Sequence, residues 1–156
     1  MNRLIFITLI FLSVFTLSAG ELNSSEVREK TKIRCGNLVY AGTRSAVCFA
    51  NKFLSRVSTE TQINVAKNFK DVKLNSKELF DTPFCVFSGG GNFSLSKAER
   101  DNLKKYLLNG GFILASPNCS NEKWDSSLRR IMKSIFPKNS FKKVPMDHPI
   151  FSLVYE

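Results

Sequence analysis

The chain predicts an α/β fold, a three-layer sandwich around a small, mainly parallel sheet, and three observations carry that reading. The run Pro83-Phe84-Cys85-Val86-Phe87-Ser88 is short, unbroken and apolar, bounded by a proline and by Gly89-Gly90-Gly91-Asn92. A strand buried on both faces has this character. A helix follows, opened by Ser96 with Glu99 three residues on, a spacing in which each side chain satisfies the other's free backbone N–H. Gly110-Gly111 and a second apolar run, Phe112-Ile113-Leu114-Ala115, come at once. Strand, helix and strand joined by short links imply a right-handed parallel crossover.

The elements before this unit are read in order. Arg3 precedes an apolar run over residues 4–17, and Ser18-Ala19-Gly20 supplies the small residues that a signal peptidase reads. Residues 1–20 therefore read as a secretory signal peptide, too short in its apolar part for the roughly 20 residues of a spanning helix. Residues 21–32 are polar with mixed charge and read as a flexible linker, which leaves 33–156 as a single α/β domain. Residues 33–41 end in Leu38-Val39-Tyr40-Ala41 and suggest the first strand. Thr43 or Ser45 can cap the next helix, whose Val47, Ala50, Phe53, Leu54 and Val57 recur at helical spacing. Residues 63–69 form a weaker strand, interrupted by lysine and asparagine as an edge strand is, and 76–80 a single helical turn.

In the central helix Leu103, Tyr106 and Leu107 share one face, and Asn109-Gly110 supplies a left-handed exit. After the loop at 116–120, an amphipathic helix carries Trp124, Leu128, Ile131, Met132 and Ile135 on one face until Pro137 stops it. Asp147-His148-Pro149-Ile150-Phe151 reads as a short strand within an extended closing segment. The four parallel strands should take the order 2-1-3-4. Ligands of such sheets bind at the carboxyl ends of the strands, beside the point where the order reverses. Gly42-Thr43-Arg44, Gly89-Gly90-Gly91-Asn92 and residues 116–120 should meet on that edge.

The formal charge is +10, or +9 once Arg3 leaves with the signal. In an intracellular chain such an excess would suggest nucleic acid, which is not expected of an exported one. Outside the cytoplasm it favours an envelope protein with acidic groups, an anionic polymer or a lipid surface, or is simply a basic soluble face. Arg129, Arg130, Lys133, Lys138, Lys142 and Lys143 form a basic run with no acidic residue between Ser127 and Met146. Cys35, Cys48, Cys85 and Cys119 permit disulfides in an exported chain, in three full pairings. Cys48 and Cys119 fall near the same end of the sheet and are the expected pair. No cysteines lie close in sequence and His148 is the only histidine, so neither a metal site nor a cofactor is expected.

The run Gly90-Gly91-Asn92-Phe93-Ser94-Leu95-Ser96 with Glu99, Leu103, Tyr106-Leu107 and Gly110-Gly111-Phe112 resembles an uncharacterised bacterial domain-of-unknown-function family. That family is similar to the class I glutamine-amidotransferase-like and trehalose-utilisation-type flavodoxin-like domains. Phe136-Pro137 and Asp147-His148-Pro149-Ile150-Phe151 resemble its closing motifs, and the likeness runs from about Ile33 onward. It implies a flavodoxin-like fold and an exported, periplasmic or extracellular bacterial protein, without an established activity. Two departures stand out. Members carry an acidic pair where this chain has Ser116-Pro117, and related domains continue beyond the His-Pro-Ile segment, so the chain reads as a trimmed version or a fragment.

Two function classes remain. A hydrolase of this kind would need a nucleophile activated by an imidazole, and Cys119 or Ser116 with His148 is the set available. The structural alternative has Cys119 holding a loop and His148 capping or packing the closing segment. A binding module would use Arg44 and the Gly89, Gly90, Gly91 and Asn92 loop to hold a ligand, or the basic helix face to dock. The loop lacks a phosphate-binding pattern, and glycines for a tight turn with positive φ are the better account of it. The binding module of the cell envelope is the leading expectation, with the divergent hydrolase as the alternative.

Overall fold

The first strand is β1, Cys35–Tyr40, and its alternation decides which side of the sheet each side chain serves. Leu38 and Tyr40 point to one face and Cys35 to the other, as period-two geometry requires. The computed structural model describes residues 32–41, 43–44, 51–139 and 141–154, all within one compact unit. The signal peptide and nearly all of the expected linker lie outside the described residues.

Parallel strands β3 (Lys70–Lys73), β4 (Phe84–Gly89) and β5 (Phe112–Pro117) complete the main sheet with β1. β1 pairs with β3 and with β4, and β4 pairs with β5, so the parallel strands stand in the expected order. A two-residue strand, β2 (Thr43–Arg44), turns back antiparallel on the end of β1. Val39 pairs with Lys73 of β3 and with Arg44 of β2, so β2 must lie on the β4 side. It fits there because pairing between β1 and β4 ends at Asn37 and Val86. Beyond that point the two central strands separate.

Helices α2 (Lys97–Leu108) and α3 (Glu122–Ile135) cover one face, and α1 (Asn51–Glu60) the other. The first face buries Leu103 and Tyr106 of α2 and Trp124, Leu128, Ile131 and Ile135 of α3 against Leu38, Cys85 and Phe87. Each such side chain contributes about 1.5–3 kcal/mol of transfer free energy. The second face is thinner, with Leu54 and Val57 against Cys35, Val65 and Phe84. Three layers result, and the flavodoxin-like α/β architecture is the one the sequence predicts.

Local chemistry sets the helix ends. Ser96 and Glu99 close the expected capping box, and Gly110 leaves α2 with φ +88°. Tyr106 donates its hydroxyl to the Thr82 carbonyl at 2.8 Å and lies 3.2 Å from that of Phe112, tying α2 to the turn before β4 and to β5. Burial, aided by the neighbouring Cys85, pushes this phenol well above its ordinary pKa.

Three local expectations are corrected. The second strand is not 63–69 but Lys70–Lys73; only an isolated bridge between Ile33 and Val65 precedes it. Its short Lys-Asp-Val-Lys run hides the inward positions Val72 and Leu74, both fully buried, behind exposed charges. Thr43 is not a helix cap, because its backbone pairs with Tyr40 in β2; Ser45 lies outside the described residues. The closing segment forms no strand among its described residues. Pro149–Phe151 is a 3-10 turn, whose first residue has no N–H to give a ladder.

Candidate functional site

An open cleft of about 800 Å³ lies where β1 and β4 part, at their carboxyl ends. Tyr40 at the end of β1 and Ala41 just after it, Gly90 and Asn92 to Ser96 after β4, Glu99 of α2 and Arg130 of α3 form its walls. This is the edge on which the strand order reverses, β3 lying on one side of β1 and β4 and β5 on the other.

The floor is a buried polar knot. Tyr40 donates its hydroxyl to the Ser88 carbonyl at 2.9 Å and accepts from the Trp124 indole N–H at 2.7 Å. Phe87 and Phe93 meet the Tyr40 ring edge-on, with centroids 4.5 and 5.0 Å away. Gly89 follows Ser88 at this point. A Cβ there would stand 2.1 Å from the Tyr40 hydroxyl and 2.7 Å from the Trp124 nitrogen, so only glycine fits.

The glycine loop is held by α3. The Asn121 side-chain oxygen accepts from Trp124 N–H, capping α3, and also from Gly91 N–H, both at 3.0 Å. Gly91 adopts φ +76°, which glycine reaches without strain. The N–H that a phosphate nest would use at Gly91 is therefore engaged by the cap. Ser127 accepts from Phe93 N–H at 3.2 Å, anchoring the rest of the loop.

Glu99 holds the opposite wall. Its carboxylate accepts from Ala41 N–H, Ser96 N–H and the Ser96 hydroxyl, each at 2.8 Å. Ala41 sits at φ +48°, a left-handed conformation that this bond supports at the turn out of β1. Burial works to raise the Glu99 pKa, but the bonds from Ala41 and Ser96 together outweigh it and hold the carboxyl below its ordinary range. A lowered folded pKa means that its stabilising contribution is complete above the ordinary value of 4.5 and is lost as pH falls through the lowered one. Glu99→Gln should therefore flatten the fall of melting temperature with acidification below that value, measured by circular dichroism from pH 7 to pH 3. An unchanged acid slope would remove Glu99 from this role.

Arg130 stands exposed at the rim. Among the described residues its guanidinium makes only long contacts of 3.5 Å, to the Phe93 carbonyl and the Ser127 hydroxyl. No acidic side chain pairs with it among the described residues.

Of the residues named from sequence, Gly90 and Asn92 line the cleft, Gly89 lies buried beneath it and Gly91 shapes the loop. Arg44 belongs by its backbone to β2; its side chain lies outside the described residues. Ser116 is half-buried in β5, level with Ser88 of β4. Cys119 occupies the 3-10 turn Asn118–Ser120 with φ +45° and carries an exposed free thiol. Cys48 lies outside the described residues. His148 is exposed and accepts from Ile150 N–H at 3.2 Å, capping its own turn. No hydrogen bond joins it to Ser116 or Cys119 among the described residues. No group of three or more metal-ligating side chains occurs among those residues either.

The thiols differ in a measurable way. Burial pushes Cys85 up to about 11 and raises Cys35, while both side chains are shielded from solvent. A maleimide should label Cys119 within minutes and reach Cys35 and Cys85 only at the rate of unfolding. Peptide mapping of the modified sites checks this, and equal labelling of Cys85 and Cys119 would contradict the buried core.

Tyr40, Trp124 and Ser127 escaped sequence reasoning as parts of this edge. Tyr40 and Trp124 are 84 positions apart, and each reads alone as a core residue. No curated protein matches the chain in sequence. A family model does: it is described as a domain of unknown function, DUF4159, and it matches residues 36–156, from the second residue of β1 through the cleft to the closing segment. By that match, which spans most of its length, the chain belongs to the DUF4159 family.

Proposed function

We propose that this protein is an exported, non-catalytic binding module of the cell envelope, with its ligand seated in the strand-end cleft. The observation that carries the reading is the commitment of the cleft's polar groups. Glu99, Tyr40, Asn121 and Ser127 each hold backbone or another side chain, and the imidazole caps its own turn. A hydrolase needs a nucleophile and a base within hydrogen-bond reach. Groups spent on shape instead make a preorganised seat. Export is supported by the apolar residues 4–17 and the small residues that follow them.

The group left for recognition is Arg130, flanked by exposed Asn92 and Ser94. A planar cation with five donors suits carboxylate or phosphate oxygens, so the ligand class is an anionic envelope polymer. Trp124 is the chain's only tryptophan and bonds to Tyr40 in the cleft wall, so its fluorescence reports on occupancy. Titrating polygalacturonate and polyphosphate should give a saturable signal that Arg130→Ala weakens about tenfold or more, the value of a charge-assisted hydrogen bond. Identical titrations of the two proteins would end this reading, and so would turnover of either polymer.

A further inference from the structure

The region after α3 presents a surface that the cleft does not explain. Phe141, Met146, Phe151 and Leu153 are 56%, 81%, 53% and 76% exposed, a density of bare apolar side chains unusual for a soluble face. Their segment is tied to α3 through Arg129, whose guanidinium stacks 4.9 Å above the Phe141 ring. Beneath that contact runs an apolar groove of about 410 Å³, floored by Met132 and Phe136 and flanked by Arg129 and Lys133.

Charge accompanies the apolar groups. Lys138, Lys142 and Lys143 are exposed and lie in the stretch without acidic residues that ends at Met146. Arg129 is paired with Asp125 at 2.7 Å, whereas Lys133 donates to the neutral Pro137 carbonyl at 3.0 Å and keeps its charge, so the four lysines carry the free charge. Asp147 is the one acidic group within the segment. A partner protein with acidic groups would satisfy the lysines but leave the bare apolar side chains in water unless it also carried an apolar face. A bilayer of anionic lipid satisfies both sets at once. Its headgroups meet the cations, and its acyl region takes the apolar side chains while the lysines snorkel. No helix among the described residues is long and apolar enough to cross a membrane, so this contact lies in the interface plane.

We infer that Arg129, Lys133, Lys138 and residues 141–154 form an interfacial surface that docks the protein on an anionic phospholipid bilayer, with the lysines on the headgroups and Phe141, Met146, Phe151 and Leu153 at the acyl boundary. The surface excludes Arg130 and the cleft, so it stands or falls apart from the reading above.

Hydrogen–deuterium exchange on the full chain tests it segment by segment, which keeps the apolar residues 4–17 from masking the result. Within 141–154, the backbone N–H groups of His148, Ile150, Phe151 and Ser152 alone have hydrogen-bond partners among the described residues, so the other amides should exchange quickly without lipid. Vesicles with about a third phosphatidylglycerol in phosphatidylcholine should slow them; pure phosphatidylcholine should not. Lys142→Glu with Lys143→Glu should raise the lipid needed for half-protection at least about 25-fold, roughly fivefold per basic residue. Phe151→Ser with Leu153→Ser should raise it about tenfold or more while leaving far-UV dichroism unchanged. Four results would overturn the inference: no protection, equal protection by neutral vesicles, equal protection by polyphosphate, or protection that grows with protein concentration alone. The last would assign the surface to a second copy of this chain.

Discussion

Trp124→Ala is expected to cost about 3–5 kcal/mol of unfolding free energy, the range for removing a buried aromatic ring. The indole is fully buried and packs edge-on against Phe87 at 5.4 Å and tilted against Phe93 at 5.5 Å. Its loss opens a cavity between α3 and the sheet. It also takes the N–H that the buried Tyr40 oxygen accepts, while the donation from Tyr40 to the Ser88 carbonyl remains. Against a typical stability of about 5–15 kcal/mol, the loss is a large fraction of what holds the domain. Trp124→Phe keeps a ring and removes only the donor, so about 1–3 kcal/mol is expected. Urea unfolding followed by far-UV circular dichroism measures both, independently of tryptophan emission. A Trp124→Ala loss under 1 kcal/mol would show that α3 is not fastened through this residue.

Gly89→Ala carries the second large effect, in the opposite sense of overfilling. The added methyl would meet the Tyr40 hydroxyl at 2.1 Å and the indole nitrogen at 2.7 Å, and neither ring can swing away. One is fixed on β1 and the other on α3, so relief requires breaking their mutual hydrogen bond. About 3 kcal/mol, at the upper end for overpacking, is expected, with loss of the near-UV dichroism of the aromatic cluster. The adjacent glycines supply the controls. A Cβ at Gly90 would have only the Asn121 side-chain nitrogen near it, at 3.8 Å, so Gly90→Ala should lie within about 0.5 kcal/mol of wild type. Gly91→Ala meets no atom within 4 Å but must hold φ +76°, which costs about 1–2 kcal/mol. If all three substitutions cost the same, the loop is limited by flexibility and not by the Tyr40–Trp124 contact.

Glu99 shows how far a local pattern reaches. The Ser96–Glu99 spacing predicted the capping box, and the structure has it. The same carboxylate's second bond, to Ala41 N–H, spans 58 positions and has no trace in the local sequence. His148 is similar. As the lone histidine it invites a catalytic role, yet its imidazole accepts from a backbone N–H two residues on. The second strand was misplaced for a related reason. Alternation in Lys70–Lys73 is too short to stand out, and Val72 faces inward because β1 supplies the pairing register.

Elements whose signals are local are legible in the amino-acid order alone. These are the apolar strand ending in glycines, the capped helix, the amphipathic α3, and the parallel order that short links impose. Period and capping depend on neighbours within one or two turns, so a linear reading recovers them. The assembled fold is what makes Tyr40, Gly89 and Trp124 interlock, sets Asn121 and Glu99 to brace the two walls, and wedges β2 beside β1 where β4 departs. Each of those joins residues tens of positions apart, and chain separation carries no information on contact until the sheet has set its register.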